Sequence, residues 1–448
     1  MITFVDRVGL FDVVVRGGTV VTCDAEDRVV DADVVLRGRE IVAVGGPVRA
    51  PARVVDARGC AVIPGIVQAH VHLCQTLMRG MADDLPLLEW LQRRVWPLEA
   101  ALDDRSAAAS ADLGLTEATL AGTTTLLDMG SVRSHDAVME ACARSGVRAV
   151  SGKAMMDRGD GVPAGLREST RASLAEAERI ARTWRKAADG RLGYAWSPRF
   201  VLSCSEGLVR GAVERAREAG EIVQTHAAEH ADERKAVRAH LGDDDVAVLR
   251  GWGLAGPRAV LAHGVQLRDD EARAIARDGT RVVHCPSANL KLGSGIARLG
   301  ALDAMGVALA LGADGAPCNN NLDPWTEMRH AALLSKVTAG VATVRARRVL
   351  RLATIDGARA LGMADLVGSI EPGKRADLAV VRIDGPHAEG GGDVVSRLVY
   401  ACGARDVRHV IVDGAIVVQD GEHRRFDVER VTAVARQEAR RLAGRAGI

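Results

Sequence analysis

The sequence predicts an α/β protein: a (β/α)8 barrel with a small β-sandwich domain assembled from both ends of the chain. Two observations carry this prediction. Eight apolar, strand-like segments recur through the middle of the 448-residue chain, and stretches rich in Ala, Arg and Glu separate most of them. Short Val-rich runs broken by Gly and Asp occur near the N-terminus and return only near the C-terminus. Continuous apolar runs are expected in a parallel barrel, because its strands are buried on both faces.

The strand candidates of the barrel are, in chain order, AVIPGIVQAH, TTTLLDM, VRAVSGKAMM, LGYAWSP, EIVQTHAAE, RAVLAHGV, RVVHCPSA and VALALGADG. A doubly wound open sheet is the alternative, but no glycine-rich phosphate-binding turn follows the first strand. We therefore predict that residues 1–61 and 368–425 form the two parts of the β-sandwich. Residues 62–367 form the barrel, and residues 426–448 form an exposed amphipathic C-terminal helix.

Composition argues against several classes of partner. The chain has 59 basic and 58 acidic residues and a formal net charge of +1, which gives no reason to expect nucleic acid or an anionic membrane. No apolar run approaches the ~20 residues that span a bilayer. The N-terminal sequence lacks the pattern of a secretion signal, and the eight cysteines are scattered without a CxxC pair. We therefore expect a cytoplasmic protein with reduced thiols.

The stretch PGIVQAHVHL places His70 and His72 two positions apart at the end of the first barrel strand. Side chains at positions i and i+2 of a strand share a face, so both imidazoles can bind one divalent cation. The alternative is a pair of surface or hydrogen-bonded histidines, and this stretch alone does not distinguish the two.

Other strand ends supply further candidate ligands. They are His226 and Glu229 after strand five, His263 after strand six, His284 after strand seven and Asp314 after strand eight. The carboxyl ends of barrel strands converge on one mouth, so these side chains are expected to meet there. Taken singly, each histidine can be a core residue and Asp314 can cap a turn. Taken together, they predict a metal site, because three neutral imidazoles and one carboxylate suit Zn²⁺ or Fe²⁺.

Three of these residues are candidate catalysts. Such a metal lowers the pKa of bound water to about 7, and Asp314 is expected to accept the proton of that water while touching the metal. Glu229 lies three residues after His226, which suits it to move a proton to a ring nitrogen and then to a leaving amine. A salt-bridged loop residue is the alternative for Glu229. His263 is expected to polarise the attacking group.

The motifs PGIVQAHVH, HAAE, LAHG, HCPSANLKLGSG and GADGAPCNNNLD together resemble the amidohydrolase superfamily. The branch they resemble most is that of the S-adenosylhomocysteine/5′-methylthioadenosine deaminases, with the triazine and guanine hydrolases nearby. The resemblance spans nearly the whole chain, including SIEPGKRADLAVV at 369–381. It implies one divalent metal, Zn²⁺ or Fe²⁺, held by His70, His72, His226 and Asp314, with Glu229, His263 and Asp314 catalytic.

The number of metal ions also follows from this resemblance. Binuclear members carry a carboxylated lysine at the end of strand four, where this chain has WSPRF. One metal is therefore expected. Lys153, on strand three, is expected to face substrate or to form a salt bridge.

The same resemblance assigns substrate-binding residues. The segment TLMRGMADDLPLLEWLQRRVWPLEA matches the deaminase branch, which implies that Glu99 accepts hydrogen bonds from ribose hydroxyls and that Trp90 packs under the segment. Arg167 matches an arginine that contacts the carboxylate of larger substrates. Arg199 stands where nucleoside deaminases usually have a histidine, and a charged planar donor there favours an oxo-purine, a triazine or another ring that carries a carbonyl.

The leading hypothesis is therefore a metal-dependent aminohydrolase that deaminates an aminated purine nucleoside or related heterocycle. The alternatives are an s-triazine or guanine-type aminohydrolase or chlorohydrolase, and, more distantly, a non-catalytic barrel scaffold. The expected partner is a small heterocyclic substrate, and the family resemblance implies a homo-oligomer.

Overall fold

The computed structural model describes residues 13–46 and 53–448. Residues 1–12 and 47–52, which belong to the predicted N-terminal part of the sandwich, lie outside the described residues. The strands are β1 (Val13–Val21), β2 (Val29–Arg37), β3 (Glu40–Val44), β4 (Arg53–Asp56), β5 (Cys60–Pro64), β6 (Ile66–His72), β7 (Thr123–Met129), β8 (Arg148–Gly152), β9 (Ala154–Met155), β10 (Leu192–Pro198), β11 (Ile222–Ala227), β12 (Ala259–His263), β13 (Arg281–His284), β14 (Ala308–Leu311), β15 (Asp314–Gly315), β16 (Leu378–Arg382), β17 (Val407–Val412), β18 (Ala415–Gln419) and β19 (Glu422–His423).

The helices follow most of the barrel strands. They are α1 (Leu87–Trp90), α2 (Trp96–Ala100), α3 (Asp104–Leu120), α4 (His135–Ser145), α5 (Thr170–Trp184), α6 (Ala187–Gly190), α7 (Glu206–Ala219), α8 (Ala231–Leu241), α9 (Asp245–Gly251), α10 (Asp269–Asp278), α11 (Pro286–Lys291), α12 (Leu299–Ala304), α13 (Ala316–Asn319), α14 (Pro324–Ala339), α15 (Ala346–Leu352), α16 (Ile355–Ala360), α17 (Val394–Tyr400) and α18 (Val428–Ala446). A π-helical turn, Leu91–Val95, joins α1 to α2, and 3-10 turns span Leu73–Met78, Val201–Ser203 and Ala404–Asp406.

The central strands form the predicted parallel barrel. Their order is β14-β13-β12-β11-β10-β8-β7-β6-β15, with β9 beside β10. Because β15 follows β14 after two residues and pairs in parallel with β6, the ladder returns to its first strand. β6 and β7 are buried along their whole length, which explains why the barrel strands are continuous apolar runs in the sequence. The fold-class prediction is confirmed.

The remaining strands form one sheet from both ends of the chain, in the order β19-β18-β17-β16-β5-β1-β2-β3, with β4 beside β1. The antiparallel pair β5–β16 joins the two ends. Alternate residues of this pair face opposite ways: Val62 and Val380 belong to the sheet's own apolar cluster, whereas Ile63 belongs to the large core cluster that the barrel helices share. The sheet is thus packed on the barrel by one face.

The C-terminal helix α18 is more buried than the sequence suggests. Its side chains Ala435 and Leu442 cluster with Leu77, Met78 and Leu98, so the helix supports the segment that follows β6. Glu438 of this helix is 0% exposed and forms an ion pair with Arg105. The prediction of an exposed helix therefore holds for one face only.

The fold also bears on the expectations for membrane-spanning segments and for the cysteines. Within residues 13–46 and 53–448, no helix combines the length and the apolar composition that a membrane span requires. The eight cysteines are free thiols and all are buried.

Candidate active site

Four side chains converge at the mouth of the barrel, where β6, β11 and β15 end. His70 and His72 come from β6, His226 from β11 and Asp314 from β15, and all are buried. One ligand atom from each lies within 4.8 Å of those of the other three. Asp314 Oδ1 lies 3.6 Å from His70 Nε2 and 3.3 Å from His72 Nε2. The structure therefore brings together the four residues that the family resemblance implies as metal ligands.

The hydrogen bonds of two of these histidines show that a cation fits between them. His72 Nδ1 donates to the carbonyl oxygen of Met129 at 2.6 Å, and His226 Nδ1 donates to that of Arg199 at 2.7 Å. A carbonyl can only accept, so the Nε2 atom of each neutral ring carries a lone pair. These two Nε2 atoms face each other at 3.1 Å, close to the roughly 3.3 Å between ligands of a tetrahedral Zn²⁺ site. Two facing lone pairs at this distance repel each other unless a cation lies between them.

The charge states also suit a metal. Burial lowers the pKa of His72 to about 3 and that of His226 well below its usual range, so both rings are neutral near pH 7. Burial raises the pKa of Asp314, but the nearby imidazoles of His70, His263 and His72 outweigh it and hold the pKa well below its usual range. Neutral imidazoles and an ionised carboxylate are the forms that bind a divalent cation.

Glu229 and His263 lie beside these four residues. His263 Nε2 is 3.4 Å from Glu229 Oε2 and 3.9 Å from Asp314 Oδ2. His263 Nδ1 lies 2.9 Å from Asn289 Oδ1 and donates to it, so the Nε2 atom is an acceptor that faces the site. Burial, followed by the charges of Glu233 and Asp314, raises the pKa of Glu229 well above its usual range. A carboxyl group whose pKa is raised in this way holds a proton more readily than an exposed one, as a general acid must.

The backbone is strained at these positions. Ala228, His263 and Asp314 have φ values of +52°, +79° and +64°. Such left-handed conformations are unfavourable for residues other than glycine and cluster at functional sites.

A pocket with about 370 Å³ of empty space opens over the cluster. Its lining residues are His72, Gln75, Leu87, Trp90, Leu91, Arg199, Phe200, His226, Glu229, His263, Leu292 and Asp314. Leu87 and Trp90 come from α1 and Leu91 from the π-helical turn, so the segment after β6 forms one wall. Trp90 Nε1 and Gln75 Oε1 are buried and find no hydrogen-bond partner within the described residues. They are an unpartnered donor and an unpartnered acceptor on two residues that line the pocket.

The predicted substrate-binding residues divide into three groups. Trp90 and Arg199 line the pocket. Glu99 is buried behind Arg199, with Oε2 accepting from Arg199 Nη1 at 2.5 Å and Oε1 accepting from Gln75 Nε2 at 2.7 Å. Arg167 is exposed in the loop before α5 and is outside the set of described residues that line the pocket.

Two further residues singled out in the sequence have structural partners. Lys153 is fully buried and forms an ion pair with Glu168, the second of the two roles expected for it. His284 is buried outside the four-residue cluster, with Nδ1 3.5 Å from Asn289 Nδ2.

Sequence reasoning missed several pocket residues. Gln75, Phe200 and Leu292 line the pocket, and Asn289 orients His263. Gln75 lies three residues after His72, between two of the quoted segments, and Asn289 lies five residues after His284, inside HCPSANLKLGSG. A polar residue shortly after a barrel strand end was the available signal.

The chain is similar to known proteins over most of its length. The model of the amidohydrolase family matches residues 61–417. The 5-methylthioadenosine/S-adenosylhomocysteine deaminase of Halobacterium salinarum is 41% identical over 438 residues, covering 97% of this chain and 98% of that protein. The protein of the same name from Pelotomaculum thermopropionicum is 35% identical over 441 residues, covering 97% and 99%.

Solved structures of two deaminases also superpose on this chain. An adenosine deaminase from Xanthomonas campestris with bound zinc superposes with a TM-score of 0.91 at 33% identity, covering 97% of this chain and 99% of that one. The guanine deaminase of E. coli gives a TM-score of 0.83 at 27% identity, with coverages of 92% and 100%.

Proposed function

This chain belongs to the amidohydrolase family, and from that premise we propose that it is a metal-dependent hydrolase of non-peptide C–N bonds that deaminates an aminated purine nucleoside or related heterocycle. The substrate is of the 5-methylthioadenosine/S-adenosylhomocysteine type, after the relatives that carry this name at 35–41% identity. In the overall reaction, water replaces the exocyclic amine, the ring gains an oxo group and ammonia leaves.

The observation that carries the proposal is the grouping of a proton-transfer pair and four metal-binding side chains in one pocket. His70, His72, His226 and Asp314 would hold one divalent ion. We propose Zn²⁺, with Fe²⁺ as the alternative, because the neighbouring adenosine deaminase structure contains zinc. When bound, the metal supplies a Lewis acid and makes water nucleophilic near pH 7.

The protein's own residues then perform the proton transfers. Asp314, ionised at neutral pH, accepts a proton from the attacking water at a carboxylate oxygen. Glu229 moves a proton through its carboxyl group to a ring nitrogen of the substrate and then to the departing amine. His263 accepts a hydrogen bond at Nε2, which lies 3.4 Å from Glu229 and thus beside the reacting atoms. Such acid–base groups typically contribute about 10²–10⁴-fold to the rate.

The pocket walls bind and orient the ring. Leu87, Leu91, Phe200 and Leu292 supply apolar surface and exclude water. Trp90 Nε1 has no partner within the described part of the chain and is a donor for a polar substituent.

A second candidate substrate class is favoured by Arg199. This guanidinium lines the pocket, and one ion pair with Glu99 leaves further N–H donors that suit a ring carbonyl. An oxo-purine, pterin or s-triazine aminohydrolase is therefore the alternative activity, and the similarity to guanine deaminase supports it. A non-catalytic scaffold is the least favoured alternative, because it gives no reason for neutral imidazoles to face each other.

Ammonia release across a panel of aminopurines, their nucleosides, pterins and triazines tests the proposal, with the metal-replete Glu229→Gln variant as the control. Metal-dependent release from a nucleoside at more than ten times the rate for its free base supports the leading proposal. Faster release from oxo-substituted rings supports the second candidate. An absence of release from every compound contradicts both.

The cellular setting is also a proposal. We propose a cytoplasmic homo-oligomer that acts on a small heterocycle. Eight buried free thiols suit a reducing compartment, and the family resemblance supports self-association.

A further inference from the structure

The turn that carries Glu229 contains a strained residue. Ala228 lies between Ala227, the last residue of β11, and Glu229. Its φ of +52° places it in the left-handed region. A non-glycine residue keeps this conformation only where its surroundings enforce it. Because Ala228 sets the direction of the chain at Glu229, the groups that enforce its conformation also determine where the Glu229 carboxylate points.

Two buried carboxylates hold this turn through its backbone. The amide of Ala228 donates to Asp245 Oδ2, and the amide of Glu229 donates to Glu233 Oε2 at 3.3 Å. The carbonyl of Ala228 accepts from the amide of Gln266 at 2.8 Å. Asp245 and Glu233 are 0% and 1% exposed, so water does not compete for these bonds.

One buried guanidinium holds the carboxylates in turn. Arg234 Nε lies 3.4 Å from Asp245 Oδ1, and Nη2 lies 2.8 Å from Asp244 Oδ2. Arg234 also donates to Glu271 and to the carbonyl of Gln266, which lies three residues after His263. The same cation therefore links the loop of Glu229 to the loop of His263.

We propose that Asp245 is a positioning residue for Glu229: its carboxylate fixes the left-handed turn at Ala228 and so aims Glu229 at His263 and at the substrate. This inference rests on the proposed function, in which Glu229 carries protons. Asp245 is suited to the role because its two oxygens join the strained Ala228 amide to Arg234. Glu233 instead accepts from the amide of Glu229, the residue after the strained one.

Asp244 offers a matched control. It is also buried and also paired with Arg234, and its further partners are Arg238 and Arg268. No hydrogen bond joins its side chain to the turn at 228–229 in the described part of the chain. Asp244→Ala therefore removes a carboxylate from the same charge cluster and leaves the turn's own hydrogen bonds in place.

We expect Asp245→Ala to lower kcat about 10- to 100-fold, since small misplacements of a catalytic group have effects of this size. KM and metal content should stay within about twofold of the parent, because the substrate walls and the metal ligands are untouched. Asp244→Ala should keep kcat within about threefold. Asp245→Asn should recover part of the rate, since its amide oxygen can still accept from Ala228 although its NH2 group cannot pair with Arg234.

Equal losses of kcat in Asp245→Ala and Asp244→Ala would overturn the proposal, as would loss of metal in Asp245→Ala. An Asp245→Asn variant as slow as Asp245→Ala would also contradict it. If Asp245→Ala does not fold, Asp245→Ser replaces it, because the shorter side chain does not reach the Ala228 amide.

Hydrogen exchange gives a readout that needs no substrate. In metal-loaded protein, the peptide covering residues 222–233 should exchange its Ala228 and Glu229 amides at least about tenfold faster in Asp245→Ala than in Asp244→Ala. Equal exchange overturns the positioning role even if the enzyme is active. If the parent releases no ammonia from any ring, the proposed function fails, and exchange alone still decides whether Asp245 holds the turn.

Discussion

Arg199 and Glu99, a hundred positions apart in the sequence, form a buried ion pair behind the candidate metal site. Arg199 Nη1 lies 2.5 Å from Glu99 Oε2, and the two side chains are 5% and 2% exposed. The backbone carbonyl of Arg199 also accepts from the Nδ1 atom of the candidate ligand His226. Arg199 thus connects the pocket, a buried carboxylate and the candidate metal site.

This pair predicts energetic coupling. Glu99→Leu or Arg199→Met alone leaves an uncompensated buried charge and should lower the free energy of unfolding by about 3–5 kcal/mol. The double variant should lose clearly less than the sum, because neither charge remains. Denaturant unfolding of the four proteins gives the coupling, and additive losses would show that the pair is not a unit.

Glu99 of this pair also provides a test of the substrate class. Glu99→Gln keeps an acceptor for Arg199, so it isolates the effect of the charge on substrate. If Glu99 holds ribose hydroxyls, kcat/KM should fall about tenfold more for nucleosides than for free bases. Equal losses on both would end the ribose assignment and leave Glu99 as the counter-ion of Arg199.

Arg199→Met provides the complementary measurement. If the substrate carries a ring carbonyl, this variant should abolish turnover of oxo-substituted rings and spare adenine-type compounds, because methionine has no donor for the carbonyl. The comparison is made as kcat/KM on one compound of each type. A uniform loss would show that Arg199 supports the fold of the pocket and does not select the substrate.

Metal analysis tests the four ligands. Protein purified without chelator should contain about one Zn²⁺ or Fe²⁺ per chain. His70→Ala or His226→Ala should remove both metal and turnover. His284→Gln is the control, since it alters a buried strand-end histidine outside the cluster and should keep the metal. A reproducible two ions per chain, or none, would be incompatible with this site.

Glu229→Gln should keep the metal and lower kcat about 10²–10⁴-fold, because the amide preserves size and cannot carry a proton. Asp314→Asn should have the larger defect, since it weakens metal retention as well. Metal content and single-turnover rates separate the two effects. A near-normal rate in metal-replete Glu229→Gln would refute the proton-transfer role.

Buried His135, which lies outside the candidate metal site, should make the stability of the protein depend on pH. Burial lowers its pKa to about 3. From about pH 6.5, the ordinary value, down to pH 3, the unfolded chain binds a proton that the folded histidine does not. Stability therefore falls as the pH drops through this window, by about 2 kcal/mol from this residue between pH 6.5 and 5. Unfolding at pH 7 and pH 5 should show a smaller loss for His135→Gln than for the parent, and identical losses would contradict the assignment.

The sequence by itself determined the barrel, the terminal sheet and the strand ends that carry the candidate metal ligands. These follow from local rules: a period of two puts His70 and His72 on one face, and parallel strands of similar length end at one mouth. The candidate ligands His226 and Asp314 lie close together for that reason, even though β11 and β15 are almost ninety residues apart.

Only the tertiary structure decided which nearby histidines stay outside the cluster, and which groups hold the candidate catalytic side chains. His284 ends a barrel strand as the candidate ligand His72 does, yet it packs beside Asn289. The pairing of Arg199 with Glu99 joins segments 100 positions apart, and that of Asp245 with the amide of Ala228 joins segments 17 positions apart. No periodicity encodes these contacts, because they depend on how whole loops pack over the barrel mouth and on which buried charges must then be neutralised.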